Sequence, residues 1–221
     1  LHTIDTVVLD KTGTLTQGKP VVTDIIPASG NSEEGLLCTA LCLESPSEHP
    51  LAAAIVEEAE RRSIPITSVG GFTAVHGRGV RATIGKSVCF GGNRAMAQEA
   101  GINPGPLAVK ADELADQGKT PLNFGDETEQ KLLGIIAVAD TPKPTSRDAV
   151  AAFRELGLEV VMLTGDNQRT AEAIGRELGV TQVMAEVLPQ DKERKVAALQ
   201  AEGKKVAMVG DGINDAPALA R

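Results

Sequence analysis

The sequence has no tryptophan and no tyrosine, and four phenylalanines are its whole aromatic content. Single-stranded nucleic acids are held on aromatic platforms and duplexes on basic surfaces; a chain short of aromatics, with a net charge of −8, offers neither. The same charge disfavours anionic lipid headgroups. Long apolar runs are missing too. The longest, reading through its glycine, goes from Leu132 to Ala139, far short of the roughly 20 residues that cross a bilayer. Three cysteines cannot close a disulfide framework. Cys38 and Cys42 lie four apart in the helix-like run Ser32 to Leu43, where thiols act as small hydrophobes and two soft ligands leave a tetrahedral metal site half empty. A reducing, cytosolic setting follows. The chain opens on Leu1-His2-Thr3 without Met or signal core and stops at Arg221, straight after a glycine-rich motif, so it reads as an excised fragment.

What is present is an ordinary globular composition, 42% hydrophobic and 24% charged over 221 residues, enough for two small domains or one domain with an insertion at about 150 residues per domain. Three short apolar runs share one form: Thr6 to Asp10, Glu159 to Asp166 and Lys205 to Asp211. Each reads as a buried parallel strand ending on a carboxylate. Helices are predicted at Ser146 to Leu156, at Gln168 to Leu178 after a cap at Asn167, and at Gln190 to Ala201 after Pro189, with Gly157, Gly179 and Gly203 as stops. Strands alternating with helices give an α/β, Rossmann-like open sheet with its ligand site at the carboxyl ends of the strands. Asp10, Thr164, Asp166 and Asp211 then gather at one edge.

The middle of the chain differs. A helix follows Pro50, an alternating strand spans Val80 to Ile84, and Ser87 to Phe90 continues after the turn at Gly85-Lys86. Helical patterns at Arg94 to Ala100 and Pro106 to Gln117 precede two strands, Leu122 to Phe124 and Leu132 to Val138. This is an α+β module with an antiparallel sheet, inserted after the first parallel strand. The expected boundaries are 1–23 and 138–221 for the parallel-sheet domain and 24–137 for the insert.

Asp10-Lys11-Thr12-Gly13-Thr14-Leu15-Thr16 sets a carboxylate where a strand opens into a loop able to offer N–H groups and hydroxyls to a phosphoryl group. Such residues also make plain turns. The balance shifts because Gly210-Asp211-Gly212-Ile213-Asn214-Asp215 brings a second acidic cluster, and Thr164-Gly165-Asp166 and Lys192 bring a hydroxyl and a cation. Phosphoryl transfer needs that set.

On these residues the sequence resembles the heavy-metal branch of the P-type ATPases, within the haloacid-dehalogenase-like superfamily. Ser47-Glu48-His49-Pro50 matches a signature of that branch, and the likeness runs over essentially the whole chain. It implies that Asp10 is phosphorylated by ATP, with Lys11 beside it; that Thr12, through its carbonyl, and Asp211 hold Mg2+ together with Asp10; and that Thr164 and Lys192 grip the phosphoryl group, supported by Asn214 and Asp215. It further implies an ATP pocket at Glu44, His49, Gly77, Gly79, Gly92 and Asn93, with His49 against adenine, and a place for Asp140 and Lys143 near the phosphorylated residue. Its implied whole is an ATP-hydrolysing transporter in the cell membrane, copper being the favoured cargo. This chain is its cytoplasmic portion, and the membrane and actuator domains are not encoded here.

The alternative is a soluble Mg2+-dependent phosphatase of the same superfamily. Such enzymes carry a second Asp two residues after the nucleophile as a general acid; here that position is Thr12. Two other motifs are set aside. Gly118-Lys119-Thr120 lacks the first glycine of a phosphate-binding loop, because Glu113 stands there. Gly77-Arg78-Gly79-Val80-Arg81-Ala82 precedes a strand instead of opening a helix. His49 has a plainer role open to it, as the residue before a proline-started helix.

Overall fold

The computed structural model describes residues 4–210. In chain order its elements are β1 Thr6–Asp10, β2 Val21–Pro27, α1 Glu33–Glu44, α2 Pro50–Arg61, β3 Val69–Val75, β4 Gly79–Ile84, β5 Ser87–Gly92, α3 Arg94–Glu99, α4 Leu107–Asp116, β6 Thr120–Asp126, β7 Lys131–Ala139, α5 Ser146–Glu155, β8 Glu159–Leu163, α6 Gln168–Leu178, β9 Gln182–Met184, α7 Lys192–Ala201 and β10 Val206–Val209. They fall into two compact units, one of 1–19, 116–118 and 140–221, the other of 20–115 and 119–139.

The first unit is a parallel sheet in the order β10-β1-β8-β9. Its strands are apolar without alternation because both faces are covered. Val7, Leu9, Val160 and Met162 pack with Val150 of α5 and with Ala171 and Ile174 of α6, while Val8, Val161 and Leu163 pack with Val196 and Leu199 of α7 on the other side. Burying each such side chain contributes about 1.5–3 kcal/mol. From β1 the sheet grows through β8 to β9 and then returns to add β10 on β1's other flank, which puts the reversal of strand order beside β1, where open α/β sheets bind their ligands. Local signals hold. Asn167 accepts a hydrogen bond from the Thr170 N–H and caps α6, and Gly179 ends that helix at φ 76. The last helix begins later than the sequence suggests, because Pro189–Asp191 forms a separate tight turn before α7.

The second unit is a six-stranded antiparallel sheet in the order β2-β7-β6-β5-β4-β3. α1 and α2 cover one face through Leu37, Leu41, Ile55 and their neighbours against Phe124, Ile136 and Val138. α3 and α4 cover the other through Met96 and Leu114 against Phe90, Ile135 and Ala137. The run Leu132 to Ala139 is therefore a central strand buried on both faces. Its pairing with β2 runs from Gly134 opposite Pro27 to Ala139 opposite Val21, so positions 23/24 and 137/138 fall inside paired strands, and this unit takes in 20–23 and 138–139 as well. Three strands have no counterpart in the sequence reading: β2, β3 and β9.

Candidate active site

Asp10 is the last residue of β1 and is 4% exposed. A carboxylate so placed needs a cation or dense hydrogen bonding to remain ionised. Lys192, the first residue of α7, supplies one: its Nζ donates to Asp10 Oδ1 at 2.6 Å, and it too is buried. The strand register sets Leu163 opposite Asp10, so Thr164, buried just beyond the end of β8, comes up beside it. On the other flank Val209 pairs with Leu9, and the chain enters position 210 level with Asp10. Asp211, Asn214 and Asp215 lie outside the described residues.

After Asp10 the chain makes a tight turn. Thr12 at φ −73, ψ 124 and Gly13 at φ 76, ψ −17 have type II geometry, which demands a residue tolerant of positive φ at the second corner. Gly13 meets that demand, and the peptide after Thr12 is turned over relative to the common type I turn. Other carbonyls of the loop are engaged. Lys11 O accepts from the Thr16 N–H at 2.9 Å, Gly13 O from Lys143 Nζ at 2.6 Å, and Leu15 O from Ser146 Oγ at 2.7 Å. The Thr12 carbonyl is not among those that accept from the described residues.

Two side chains that the sequence reading left without a defined partner complete this unit's site. Buried Asp140 clamps the loop's far end, its Oδ2 2.5 Å from Thr16 Oγ1 and its Oδ1 accepting from the Gly18 N–H at 3.0 Å. Asp166 faces Lys11, with Nζ 2.9 Å from Oδ2. That approach is off the hydrogen-bond axis, and Asp166 Oδ2 is buried without a donor among the described residues. The Asp166 N–H in turn donates to Thr164 Oγ1 at 3.1 Å, linking the hydroxyl to the pair.

The donors available for a metal ion among the described residues of this unit are the Asp10 carboxylate and the Thr12 carbonyl, both hard oxygens; such a set suits Mg2+ and not a soft ion. Among the described residues no group of three or more His, Cys, Asp or Glu side chains could hold a metal ion. An ion here needs further oxygen ligands beyond these two groups.

The second unit has a cluster of its own. Gly79 and Gly92 pair across β4 and β5. A Cβ built on Gly79, whose φ is +155, would meet the Gly91 carbonyl oxygen at 2.1 Å, so neither glycine can be replaced without parting the strands. Asn93 ties the turn to this pair: its Nδ2 donates to Gly77 O at 2.9 Å, its backbone N–H to Arg78 O at 2.8 Å, and its Oδ1 accepts from the Met96 N–H as the cap of α3. Buried Asn123 of β6 reaches Gly92 O at 3.5 Å. Glu44, at the end of α1, is 6% exposed. Its Oε1 would lie 3.4 Å from a Cβ on Gly91, on which the Phe124 ring is also packed. Burial pushes its carboxyl up to about 7.

His49 stands five residues after Glu44, at the start of α2. Its Nδ1 accepts from the Leu51 N–H at 3.2 Å, with Pro50 as the first helical residue. It thus performs the helix-start role, with Nδ1 as the accepting atom. A groove of about 520 Å³ on the first unit, lined by Arg154, Glu172 and Arg176 among others, contains none of the candidate residues; the reactive groups sit at the strand ends instead.

The model of the haloacid dehalogenase-like hydrolases matches residues 4–221. The chain is 47% identical over 99% of its length to a copper-exporting P-type ATPase of Bacillus subtilis and 46% identical over 98% to a probable copper-exporting P-type ATPase V of Mycobacterium tuberculosis. It spans about a quarter of these relatives' length, 27% and 28%. Among solved structures, the catalytic domain of the CPx-ATPase CopB-B, in a study of its changes upon nucleotide binding, matches with a TM-score of 0.72 at 30% identity, over 98% of this chain and 75% of that one. A zinc-transporting PIB-type ATPase in its E2.Pi state matches with a TM-score of 0.65 at 39% identity, over 98% of this chain and 34% of that one.

Proposed function

Because this chain belongs to the haloacid dehalogenase-like hydrolases, we propose that it is the nucleotide-binding and phosphorylation portion of a copper-transporting P-type ATPase, in which Asp10 accepts the γ-phosphoryl group of ATP. The observation that carries this reading is the buried Asp10–Lys192 pair at 2.6 Å, set at the end of β1 with Thr164 beside it. A carboxylate oxygen of Asp10 attacks the γ-phosphorus, the bond from that phosphorus to the bridging oxygen breaks, and ADP leaves with the electron pair. Lys192 keeps Asp10 ionised before attack and neutralises charge on the transferred group. Thr164 Oγ1 has a proton to donate to a phosphoryl oxygen, and its N–H contact from Asp166 fixes where that hydroxyl lies. Lys11, held toward Asp166, adds positive charge at the same edge.

Mg2+, when bound by Asp10, the Thr12 carbonyl and Asp211, supplies charge neutralisation to the phosphoryl oxygens. Nucleotide is assigned to Glu44, His49, Gly77, Gly79, Gly92 and Asn93 of the second unit. Thr12 favours this reading over a phosphatase. Its hydroxyl neither ionises nor takes up a proton near neutral pH, so the residue cannot activate water against an acyl phosphate, and the aspartyl phosphate outlives one flanked by an acid. The relatives that share the chain at nearly half identity are named as copper exporters, which supports copper as cargo. No helix of the described residues is long and apolar enough to cross a membrane; transport, and the membrane and actuator domains it needs, are assigned to the remainder of the longer protein, with this portion on the cytoplasmic side.

The test is incorporation of radiolabelled phosphate from ATP into acid-precipitated protein. Expected is a label that hydroxylamine removes and that Asp10→Asn abolishes while nucleotide binding persists. Label surviving in Asp10→Asn overturns the assignment, and rapid release of phosphate from small phosphoesters without a trapped intermediate favours the phosphatase.

A further inference from the structure

Cys38 and Cys42 stand one turn apart on α1, on the side where the chain leaving α2 runs back along that helix. Both thiols meet this segment. Cys38 Sγ lies 3.7 Å from Pro65 O and Cys42 Sγ 3.4 Å from Thr67 O, and the two thiols are within hydrogen-bonding reach of each other. Cys42 is 1% exposed and Cys38 is half-buried, so one sulfur belongs to the core and the other opens toward solvent. The segment over them, Pro65 to Ser68, is exposed and forms neither helix nor strand. Ile66, between the two carbonyls that the thiols meet, is 62% exposed.

The spacing decides what the pair can do. Residues four apart on a helix have their Cβ atoms about 5–6 Å apart, whereas a disulfide needs about 3.8 Å, so that bond requires α1 to unwind. Two sulfurs on opposite sides of one ion stand at about twice a metal–sulfur bond of roughly 2.3 Å, and the undistorted helix allows that span. Zn2+ calls for four ligands, and among the described residues no third His, Cys, Asp or Glu joins the pair. Cys89, the remaining thiol, lies on β5 in the same core but outside that reach. A tetrahedral ion would be left half-coordinated here. Cu(I), which is soft and satisfied by two thiolates in a line, would not.

We propose that Cys38 and Cys42 form a two-coordinate Cu(I) site on the second unit, closed over by the segment 65–68. The ion is the one proposed above as cargo, but the site stands on its two thiols and does not depend on the phosphorylation assignment. Binding exchanges two S–H bonds for two S–Cu bonds. Cu(I) enters with its oxidation state unchanged, both protons leave to solvent, and the bis-thiolate complex carries one net negative charge. Burial, and after it the neighbouring Cys42, holds the Cys38 thiol above its ordinary range, so the ion has to displace a proton there. Half-buried Cys38 is the way in. Pro65 O and Thr67 O lose their S–H donors and, lying on an exposed segment, take water instead.

The experiment is anaerobic titration of the whole, reduced chain with Cu(I) presented as its bicinchoninate complex, where loss of the chelate's colour reports transfer to the protein. Expected is one Cu(I) per chain for wild type and for Cys89→Ala, with X-ray absorption showing two sulfur neighbours and bound Cu(I) protecting Cys38 from alkylation by iodoacetamide. Cys38→Ser keeps a donor for Pro65 O at a half-buried position, and circular dichroism checks that it is folded. Its affinity should fall by more than the about 10–100-fold that loss of an outer-shell partner causes, and that of Cys42→Ser should fall with it. Cu(I) bound as tightly by Cys38→Ser as by wild type, or not taken up by wild type at all, overturns the proposal. So does one ion shared between two chains on size exclusion, or Zn2+ competing equally for the pair. None of these results bears on labelling of Asp10 from ATP, so the proposed function stands or falls separately.

Discussion

Lys192 Nζ lies 2.6 Å from Asp10 Oδ1, and the two side chains are 9% and 5% exposed. A salt bridge this deep is a poor source of net stability against apolar replacements, but breaking it from one side is expensive. Lys192→Met should therefore destabilise the first unit by about 3–5 kcal/mol. The double variant Asp10→Asn/Lys192→Met should recover about 2 kcal/mol relative to the sum of the single changes. Urea denaturation of the four proteins closes the cycle; additive effects would show that the contact carries no coupling.

His49 joins two roles that separate by substitution. Its ring nitrogen caps α2, and its place after Glu44 puts it at the proposed adenine pocket. His49→Ala should lose about 1 kcal/mol of stability for the cap and weaken ATP binding by about 1–2 kcal/mol for one lost contact. His49→Asn restores a good cap without the imidazole, so its melting temperature should return to wild type while the binding defect stays. Recovery of both in His49→Asn would return His49 to the helix-start role alone.

Gly79 should be intolerant of any side chain. Gly79→Ala adds a methyl 2.1 Å from the Gly91 oxygen at a φ of +155, and should cost about 3 kcal/mol from strain and displaced backbone. Gly70→Ala, in β3 with nothing within 4 Å, should change stability by less than about 0.5 kcal/mol. Thermal melts of both variants decide it; similar losses at the two positions would mean that the close approach of β4 and β5 gives way easily.

Most of the fold was legible because most of its strands are central. β1, β8 and β7 are covered on both faces and show as unbroken apolar runs, and Gly157, Gly179 and Gly203 take the positive φ that ends a helix. The strands that escaped notice are all edges: β2 and β3 bound the antiparallel sheet and β9 the parallel one. An edge strand needs apolar residues on less of its surface, and β2 and β3 are half exposed and interrupted by bulges. Gly70 and Gly71 and the terminal Pro27 look like loop chemistry for the same reason. At the site, Asp10, Thr164 and Lys192 were legible from the strand-end pattern and the family likeness. Asp140 gripping Thr16, and Asp166 facing Lys11, were not, since those contacts join residues more than a hundred apart in sequence and no local period encodes them. The state of Glu44 is a matter of environment; its letter is that of any surface glutamate.

The pairing of Val21 with Ala139 bears on the order in which the chain can find its shape. β1 must meet β8, and Thr6 stands opposite Glu159, a search across about 150 residues of chain. Once β2 and β7 have zipped, their ends are held at one interstrand spacing and the intervening polypeptide no longer counts toward the search. The effective loop shrinks to about 35 residues, and the closure entropy falls by about 1.3 kcal/mol. An insert that assembles first thus acts as a splint for its host, speeding the long-range step by about tenfold without making any contact of its own in the final parallel sheet.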